Sequence, residues 1–216
     1  MNRLFLFIFF LTAGWNIQAA QTEASLVPND SSFDSLAIQH RGRIKPFLSF
    51  AQEVTTTLTG RASVQLPDLG KVSARQLILS LWMEPAGWDQ EPILLVEDPA
   101  LRQELGLVEH TRLFSLRRLA ALPRLAQLSS IAETARATGS RDSIPPVASA
   151  AQNVSLRLNL LQSILSGDAF RMIPTPEGSP TGAPWSPTTG QIKSPYALAE
   201  IQSQARLPQT KLSLEV

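Results

Sequence analysis

The amino-acid sequence predicts an α+β protein that is mostly helical, with short strands and one antiparallel helical hairpin. The first observation is compositional: hydrophobic residues make up 44% and charged residues 17% of the 216 residues, which is enough to form a buried core. The second is that the longest apolar patterns have helical spacing, whereas the strand-like apolar runs are only about four residues long. The third is that cysteine is absent, so packing must hold the fold without disulfides.

The amino-terminal segment 1–20 has the layout of a secretory signal peptide. Arg3 supplies a positive charge, an apolar stretch covers residues 4–13, and small residues suited to cleavage follow. The apolar stretch is shorter than the roughly 20 residues that a transmembrane helix needs. We therefore expect residues 21–216 to lie in the periplasm or another extracytoplasmic space, with membrane contact only through the signal if it is not cleaved.

The predicted domain covers residues 36–173 and begins with one strand and one helix. Residues 21–35 are rich in polar and turn-forming types, so we expect them to be a flexible lead-in. A short strand is expected at 36–39, followed by a basic loop around a glycine. Pro46 suits the first turn of a helix and Gly60 suits its end. The apolar spacing predicts that this helix buries Phe47, Phe50, Ala51, Val54 and Leu58.

The next segment predicts helices and strands in alternation. Ser73 is placed to cap a second helix, which Pro85 ends. Apolar runs predict a buried strand at 93–96 and another strand at 111–114. Between them, Asp98 is followed by a proline and starts a short helix.

Residues 116–166 are predicted to form the antiparallel helical hairpin. Two apolar stripes with heptad-like spacing are joined by a turn-rich connector at 139–146. The stripes consist of Ala121, Leu125, Leu128, Ala132 and Ala135, and of Val147, Ala151, Val154, Leu158, Leu161 and Leu165. Leu156, Leu160 and Ile164 widen the second stripe, which predicts that this helix also faces the main body. Such stripes either form an intrachain core or dock another protein, and the core is the commoner use.

The carboxy-terminal part is predicted to be irregular before a last helix. A short strand is expected at 170–173. Residues 174–193 form a loop rich in proline and glycine, and we expect Trp185 to pin this loop to the body. A terminal helix and tail are predicted for residues 194–216.

Composition and motifs argue against several function classes. The formal net charge is +1, which lacks the basic excess that nucleic-acid binding requires. Without cysteine there is no thiolate catalysis, no cysteine zinc site and no CxxCH haem attachment. His40 and His110 are the only histidines, and neither GxSxG nor a phosphate-binding glycine loop occurs. We therefore expect a non-enzymatic protein with no resident cofactor, and a hydrolase with an unrecognised site is the alternative with least support.

The candidate binding residues precede the first helix and are Gln39, His40, Arg41, Gly42, Arg43 and Lys45. Cations beside the free N–H groups of a helix N-terminus predict an anion site for a carboxylate, a phosphate or a haem propionate. In this site, His40 is either a haem or metal ligand or a structural loop histidine, and its cationic neighbours disfavour a metal cation. The alternative is that Arg43 and Lys45 pair with acids of the same domain and hold the loop in place.

The segment 36–61 resembles the extracytoplasmic soluble region of the System II (CcsA/ResC-type) cytochrome c biogenesis proteins, especially the large fused forms. The residues that match the family pattern are Gln39, Gly42, Arg43, Lys45, Pro46, Phe47, Ser49, Phe50, Ala51, Glu53, Thr59 and Gly60. Weaker likeness continues at 76–88, at 92–107 and at 170–174 with Trp185. The resemblance implies an exported, non-enzymatic accessory or scaffold domain in c-type cytochrome maturation. Its partners would be membrane-bound maturation proteins or apocytochrome, and contact with haem is an alternative to direct protein contact.

The sequence also departs from the family pattern. Leu48 and Gln52 stand where the family has aspartate and arginine, an i, i+4 pair that can form a salt bridge. The tryptophan-rich signature and the membrane core with haem-ligating histidines do not occur in this sequence. Two further hypotheses therefore stay open. One is a periplasmic binding module for an anionic small molecule or peptide, and the other is a split remnant of a larger cytochrome c assembly protein.

Overall fold

The computed structural model describes residues 23–107, 110–140, 144–175, 183–188 and 193–204. In these ranges the helices are α1 (Phe47–Thr59), α2 (Ala74–Met83), α3 (Pro99–Glu104), α4 (Leu116–Ala120), α5 (Pro123–Ala137), α6 (Pro146–Leu165) and α7 (Pro195–Gln204). The strands are β1 (Ala37–His40), β2 (Arg43–Pro46), β3 (Ser63–Leu66), β4 (Gly70–Ser73), β5 (Leu94–Leu95), β6 (Leu113–Phe114), β7 (Arg171–Ile173) and β8 (Ser186–Pro187). The predicted α+β, mostly helical fold is confirmed.

The described strands form four separate two-stranded antiparallel sheets, in the pairs β1–β2, β3–β4, β5–β6 and β7–β8. In the first sheet, Ala37 lies opposite Pro46 and His40 lies opposite Arg43. An isolated two-stranded sheet is marginally stable in water. Each pair therefore depends on the helices packed against it.

The core is centred on α1 and α2, which pack on each other. Every apolar residue predicted for the buried face of the first helix is buried in α1. The helix ends at Gly60, which adopts a left-handed conformation with φ 79° and donates its N–H to the carbonyl of Thr56. Ser73 and Asp98 accept hydrogen bonds from the first turns of α2 and α3. The helix starts and stops expected from the sequence are therefore present in this part of the chain.

An aromatic cluster within this core joins segments that are far apart in the sequence. It consists of Phe33, Phe47, Phe50, Trp82 and Phe170, all of them buried. The ring of Phe170 stacks on Trp82 with centroids 4.4 Å apart, and meets Phe50 edge-on at 5.8 Å. Phe170 thus attaches the segment after α6 to the two central helices.

Helices α5 and α6 form the predicted helical hairpin, but it begins at Pro123 and not at residue 116. Residues 116–120 form the separate helix α4, and Ala121, which was predicted in the first stripe, is exposed at the end of α4. Leu125, Leu128 and Ala132 of α5 are buried, as are Ala151 and Val154 of α6. The second helix also contacts α1, α2 and β5, which agrees with its wider stripe. Leu156 does not belong to that stripe, because 58% of its surface is exposed.

The described part of the predicted flexible lead-in packs against the core instead. Val27 and Phe33 are buried, and the backbone N–H of Val27 donates to Ser80 Oγ at 3.0 Å. Arg75 Nε of α2 lies 2.8 Å from Asp34 Oδ1. The segment looked flexible in sequence because its two anchoring apolar residues are spaced without periodicity, so only distant partners reveal their role.

Two hairpins were not predicted as such. The basic loop after the first strand continues into β2, so the residues form a β-hairpin. The β3–β4 hairpin, Ser63–Leu66 with Gly70–Ser73, was not foreseen at all. Each strand has four residues, which is too short for alternation to be distinguished from a loop.

Several predicted features lie outside the described residues. They are the signal peptide at 1–20, much of the 174–193 loop and the tail after α7. Among the helices in the described ranges, none has both the length and the hydropathy needed to cross a membrane.

Candidate functional site

The candidate binding residues form a β-hairpin whose turn consists of Arg41 and Gly42. Both have left-handed φ values, 52° and 76°. Two successive positive φ angles are typical of the tight type I′ turn, which matches the twist of the flanking strands. Nothing lies within 4 Å of the position that a Cβ on Gly42 would take, so the turn projects away from the body. We call Arg41, Gly42 and Arg43 the hairpin tip.

Glu53 of α1 is the centre of charge at the base of this hairpin. Lys45 Nζ donates a short hydrogen bond to Glu53 Oε2. Arg41 Nη1 lies 3.3 Å and His40 Nε2 lies 3.9 Å from Glu53 Oε1. The hydrogen bond from Lys45 is the largest cause that holds the pKa of Glu53 below its ordinary value. The carboxylate therefore stays charged and ties β2 to α1.

His40 is packed under the hairpin, with 14% of its side chain exposed. Its ring meets Phe50 edge-on with centroids 5.1 Å apart. Burial lowers the pKa of His40, and the nearby cations Lys45 and Arg41 lower it further, while Glu53 acts in the opposite direction. His40 is therefore neutral at pH 7 and occupies a structural position.

Gln39 joins the hairpin to the proline-rich loop. Its Oε1 accepts a hydrogen bond from the backbone N–H of Trp185 at 2.7 Å, and its Nε2 donates to the carbonyl of Ala183 at 3.5 Å. Only 5% of Trp185 is exposed. Trp185 thus anchors its loop as the sequence predicted, and Gln39 is the side chain that receives it.

The helix N-terminus does not complete an anion site with the basic residues. The N–H groups of Phe47 and Leu48, at the start of α1, donate to the carbonyls of Leu36 and Asp34 at 2.8 and 3.2 Å. These donors are already used within the chain. The hairpin tip also lies at the far end of β2, about 10 Å from Pro46 at the usual strand rise. The N–H groups of Phe47 and Leu48 are therefore not free to bind an anion together with the cations of the hairpin tip.

The six candidate residues divide into two groups with different roles. Gln39, His40 and Lys45 bond or pack inward. The hairpin tip is outward, with 65% of the Arg41 side chain exposed. Arg43 is exposed and makes no ion pair or side-chain hydrogen bond among the described residues. The sequence alternative, in which Arg43 and Lys45 both pair with acids, holds for Lys45 and not for Arg43.

Chemically, this arrangement can present positive charge to an anion from a rigid base. His110, the second histidine, is exposed and distant in sequence from the first. The described ranges contain no group of three or more histidine, aspartate and glutamate side chains that could hold a metal ion. Glu53 was noted in the sequence only as part of the family pattern. Its role was not readable there, because Lys45 is on a strand and Glu53 on a helix, and no periodic spacing connects them.

Two comparisons with known proteins give no relative. No protein-family model matches the chain, and a search of curated proteins finds no match.

Proposed function

We propose that the protein is an exported, non-enzymatic accessory domain of c-type cytochrome maturation that contacts its partner through the hairpin tip. The partner is a membrane-bound maturation protein or apocytochrome, and the contacted groups are anionic. One observation carries the proposal. Within the family-like segment, Gln39, His40 and Lys45 form a base that packs on the rest of the protein, whereas the two arginines of the hairpin tip are exposed.

The base of the hairpin is held in place by side chains from the other segments that resemble the family. Gln39 binds the backbone beside Trp185, and Phe47 and Phe50 pack on Phe170. Phe170 in turn stacks on Trp82. The separate stretches of family likeness therefore lie against one another and form one framework that holds the hairpin.

The tip has the properties of a contact surface. Arg41 and Arg43 flank Gly42, where an added Cβ would meet nothing within 4 Å, and Ile44 beside them is 43% exposed. Guanidinium groups bind carboxylates through two parallel hydrogen bonds, so a carboxylate-bearing partner such as an acidic segment or a haem propionate fits this tip.

A second candidate function is a module that binds an anionic small molecule or peptide outside cytochrome maturation. The unpaired Arg43 favours it equally, because a free guanidinium recognises an anion regardless of its source. The two candidates differ in what deletion of the gene does to cytochromes.

The test is a deletion strain in which covalent haem in c-type cytochromes is measured by haem staining. We expect reduced staining that the wild-type gene restores. Arg43→Ala is expected to restore it poorly while leaving the melting temperature unchanged. Arg136→Ala, which removes an exposed arginine at the end of α5, is the matched control and is expected to restore staining fully.

Unchanged staining in the deletion strain would contradict the role in maturation. If Arg43→Ala then still abolishes binding of an acidic peptide in vitro, the second candidate is supported. Equal restoration by Arg43→Ala and Arg136→Ala would show that the tip is not the contact surface.

A further inference from the structure

A second candidate site lies beside α6 and is independent of the hairpin tip. It is a surface groove of about 490 Å³ between α6 and the turn before α3. Its lining includes Glu97, Leu101, Ser149, Asn153, Val154 and Arg157. Pockets that hold small molecules have volumes of about 300–1,000 Å³, so the groove is large enough for one.

Arg157 gives this groove its chemistry. Its Nε donates to the carbonyl of Thr57 at 2.8 Å, and its Nη1 donates to the carbonyl of Leu95 at 3.1 Å. No carboxylate lies within ion-pair distance of it among the described residues. A guanidinium has five N–H donors, so three remain for a ligand after these two bonds.

The removal of Arg157 from water has a cost, and no carboxylate among the described residues forms an ion pair with it to offset that cost. Burial is the largest cause that lowers the pKa of this guanidinium, and Glu97 is the only acid that acts on it in the opposite direction. A partly buried cation held by neutral carbonyls gains most from an incoming carboxylate, which would form two charge-assisted hydrogen bonds.

The lining of the groove also carries negative charge, because it includes Glu97. Glu97 follows two residues after Leu95, whose carbonyl accepts a hydrogen bond from Arg157. The turn is fixed because Arg102 Nη1 donates to the carbonyls of Val96 and Glu97 at 2.8 and 2.9 Å. The side chain of Glu97 is exposed and makes no ion pair among the described residues.

The floor of the groove is apolar. Leu101 and Val154 are buried there, with exposures of 0% and 2%. Ser149 and Asn153, which lie about one helical turn apart on α6, also line the groove and supply polar groups that can form hydrogen bonds with a ligand.

We propose that this groove binds a short zwitterionic peptide, with its carboxylate on Arg157 and its ammonium group beside Glu97. Both charged side chains line the same groove, so a ligand that carries both charges can pair with each of them. A simple anion fits less well because Glu97 would repel it.

The test is an amide-resolved NMR titration of the full chain with L-alanyl-L-alanine. We expect shifts at Asn153 and at the Arg157 Nε–H, with a Kd of about 1 mM or lower. Alanyl-alanine amide lacks the carboxylate and N-acetyl-alanyl-alanine lacks the ammonium group. Each is expected to bind at least about tenfold more weakly.

Arg157→Gln would also remove the hydrogen bonds to the carbonyls of Thr57 and Leu95. A loss of dipeptide binding in this variant could therefore result from a loss of stability, and a different variant is needed. Asn153→Trp fills the groove and leaves the hydrogen bonds of Arg157 to Thr57 and Leu95 in place. It is expected to abolish the chemical-shift changes at the Arg157 Nε–H. Asn159→Trp places the same side chain at an exposed position of α6 outside the groove, and is expected to bind like the wild type.

Equal binding of the amide and the free dipeptide would overturn the proposal. So would the absence of shifts in the groove, or unchanged dipeptide binding in Asn153→Trp.

Discussion

The β1–β2 hairpin with α1 and the α5–α6 hairpin are held together by contacts of different range. In the first region, Gln39 bonds to the backbone of a residue 146 positions away, and the side chain of Gln202 bonds to Ala37 across 165 positions. In the second, two helices that follow one another in the chain pack through small and aliphatic residues such as Ala132 and Ala151.

The difference shows where this protein is sensitive to change. The α5–α6 hairpin is held by a repeated pattern of apolar contacts between its two helices. When one of these contacts is lost, several similar contacts remain. The first region depends on single side chains that join distant segments and have no substitutes. We therefore expect the larger losses of stability when residues of the first region are replaced.

The largest effect is expected for Phe170→Ala. Phe170 is fully buried and packs on Trp82 and Phe50, so the replacement removes a large apolar side chain and leaves a cavity. Such truncations cost about 3–5 kcal/mol. Denaturant unfolding measures the loss, and Leu156→Ala is the control, expected to lie within about 0.5 kcal/mol of the wild type.

Leu128→Ala extends this comparison to the α5–α6 hairpin. Leu128 is also buried, with 6% exposure, and its truncation is expected to cost about 2 kcal/mol. If Leu128→Ala destabilised the protein as much as Phe170→Ala, the proposed difference between the two regions would be wrong.

The next effect concerns the amide of Gln202 in α7. It accepts a hydrogen bond from the N–H of Ala37 at 2.9 Å, and donates to the carbonyls of Ala37 and Met172 at 2.7 and 3.0 Å. In this position it acts like the peptide group of a further strand. Gln202→Ala leaves these buried backbone groups without partners and is expected to cost about 2–3 kcal/mol.

Gln204→Ala is the matched control, because this glutamine is exposed on the same helix. We expect a change within about 0.5 kcal/mol. Equal unfolding midpoints for the two variants would show that the amide of Gln202 contributes nothing.

Two glycines with nearly equal φ angles, one in each region, allow a direct comparison of the two regions. Gly60 ends α1 with φ 79°, and Gly139 follows α5 with φ 77°. A Cβ at Gly60 would lie 2.8 Å from Leu95 Cδ2, whereas nothing lies within 4 Å of one at Gly139. Gly139→Ala is expected to cost about 1 kcal/mol for the left-handed conformation alone, and Gly60→Ala about 2 kcal/mol, because Leu95 must also move.

Thermal or denaturant unfolding of the two glycine variants measures this difference. If Gly139→Ala lowered the free energy of unfolding as much as Gly60→Ala, the left-handed conformation alone would explain both losses. The contact of the new Cβ with Leu95 would then contribute nothing to the loss at Gly60.

The smallest effect is a dependence of stability on pH that arises from His40. Its pKa is lowered in the folded protein, so the unfolded chain takes up the proton first as the pH falls below the ordinary value of 6.5. Stability from this residue is thus present above that pH and lost below it. The pKa of Glu53 is also lowered, but its loss begins only near the ordinary carboxyl value of 4.5.

His40→Gln is expected to flatten the decline of the free energy of unfolding between pH 7 and about pH 5. Urea unfolding at the two pH values measures it. An unchanged slope in this variant would show that His40 is not the titrating group.

The sequence alone predicted the elements that depend on near neighbours. Helix α1 with its buried face, the caps at Ser73 and Asp98, the left-handed stop at Gly60 and the α5–α6 hairpin all follow from patterns within about 20 residues. These features are readable because helical periodicity and capping are local properties of the chain. The buried position of Trp185 was also expected, because a large aromatic residue in a proline-rich loop needs a site on the body.

The tertiary structure alone decided how the candidate site is arranged. Lys45, Arg41 and His40 all lie near Glu53 because α1 packs alongside β2 in the folded chain. No residue spacing in the sequence predicts that arrangement. The same holds for Gln39 beside Trp185 and for the anchored segment before the first strand. Arg43 and Lys45 look alike in sequence, yet one is free and the other is paired, since pairing depends on which groups the folded chain brings within a few ångströms.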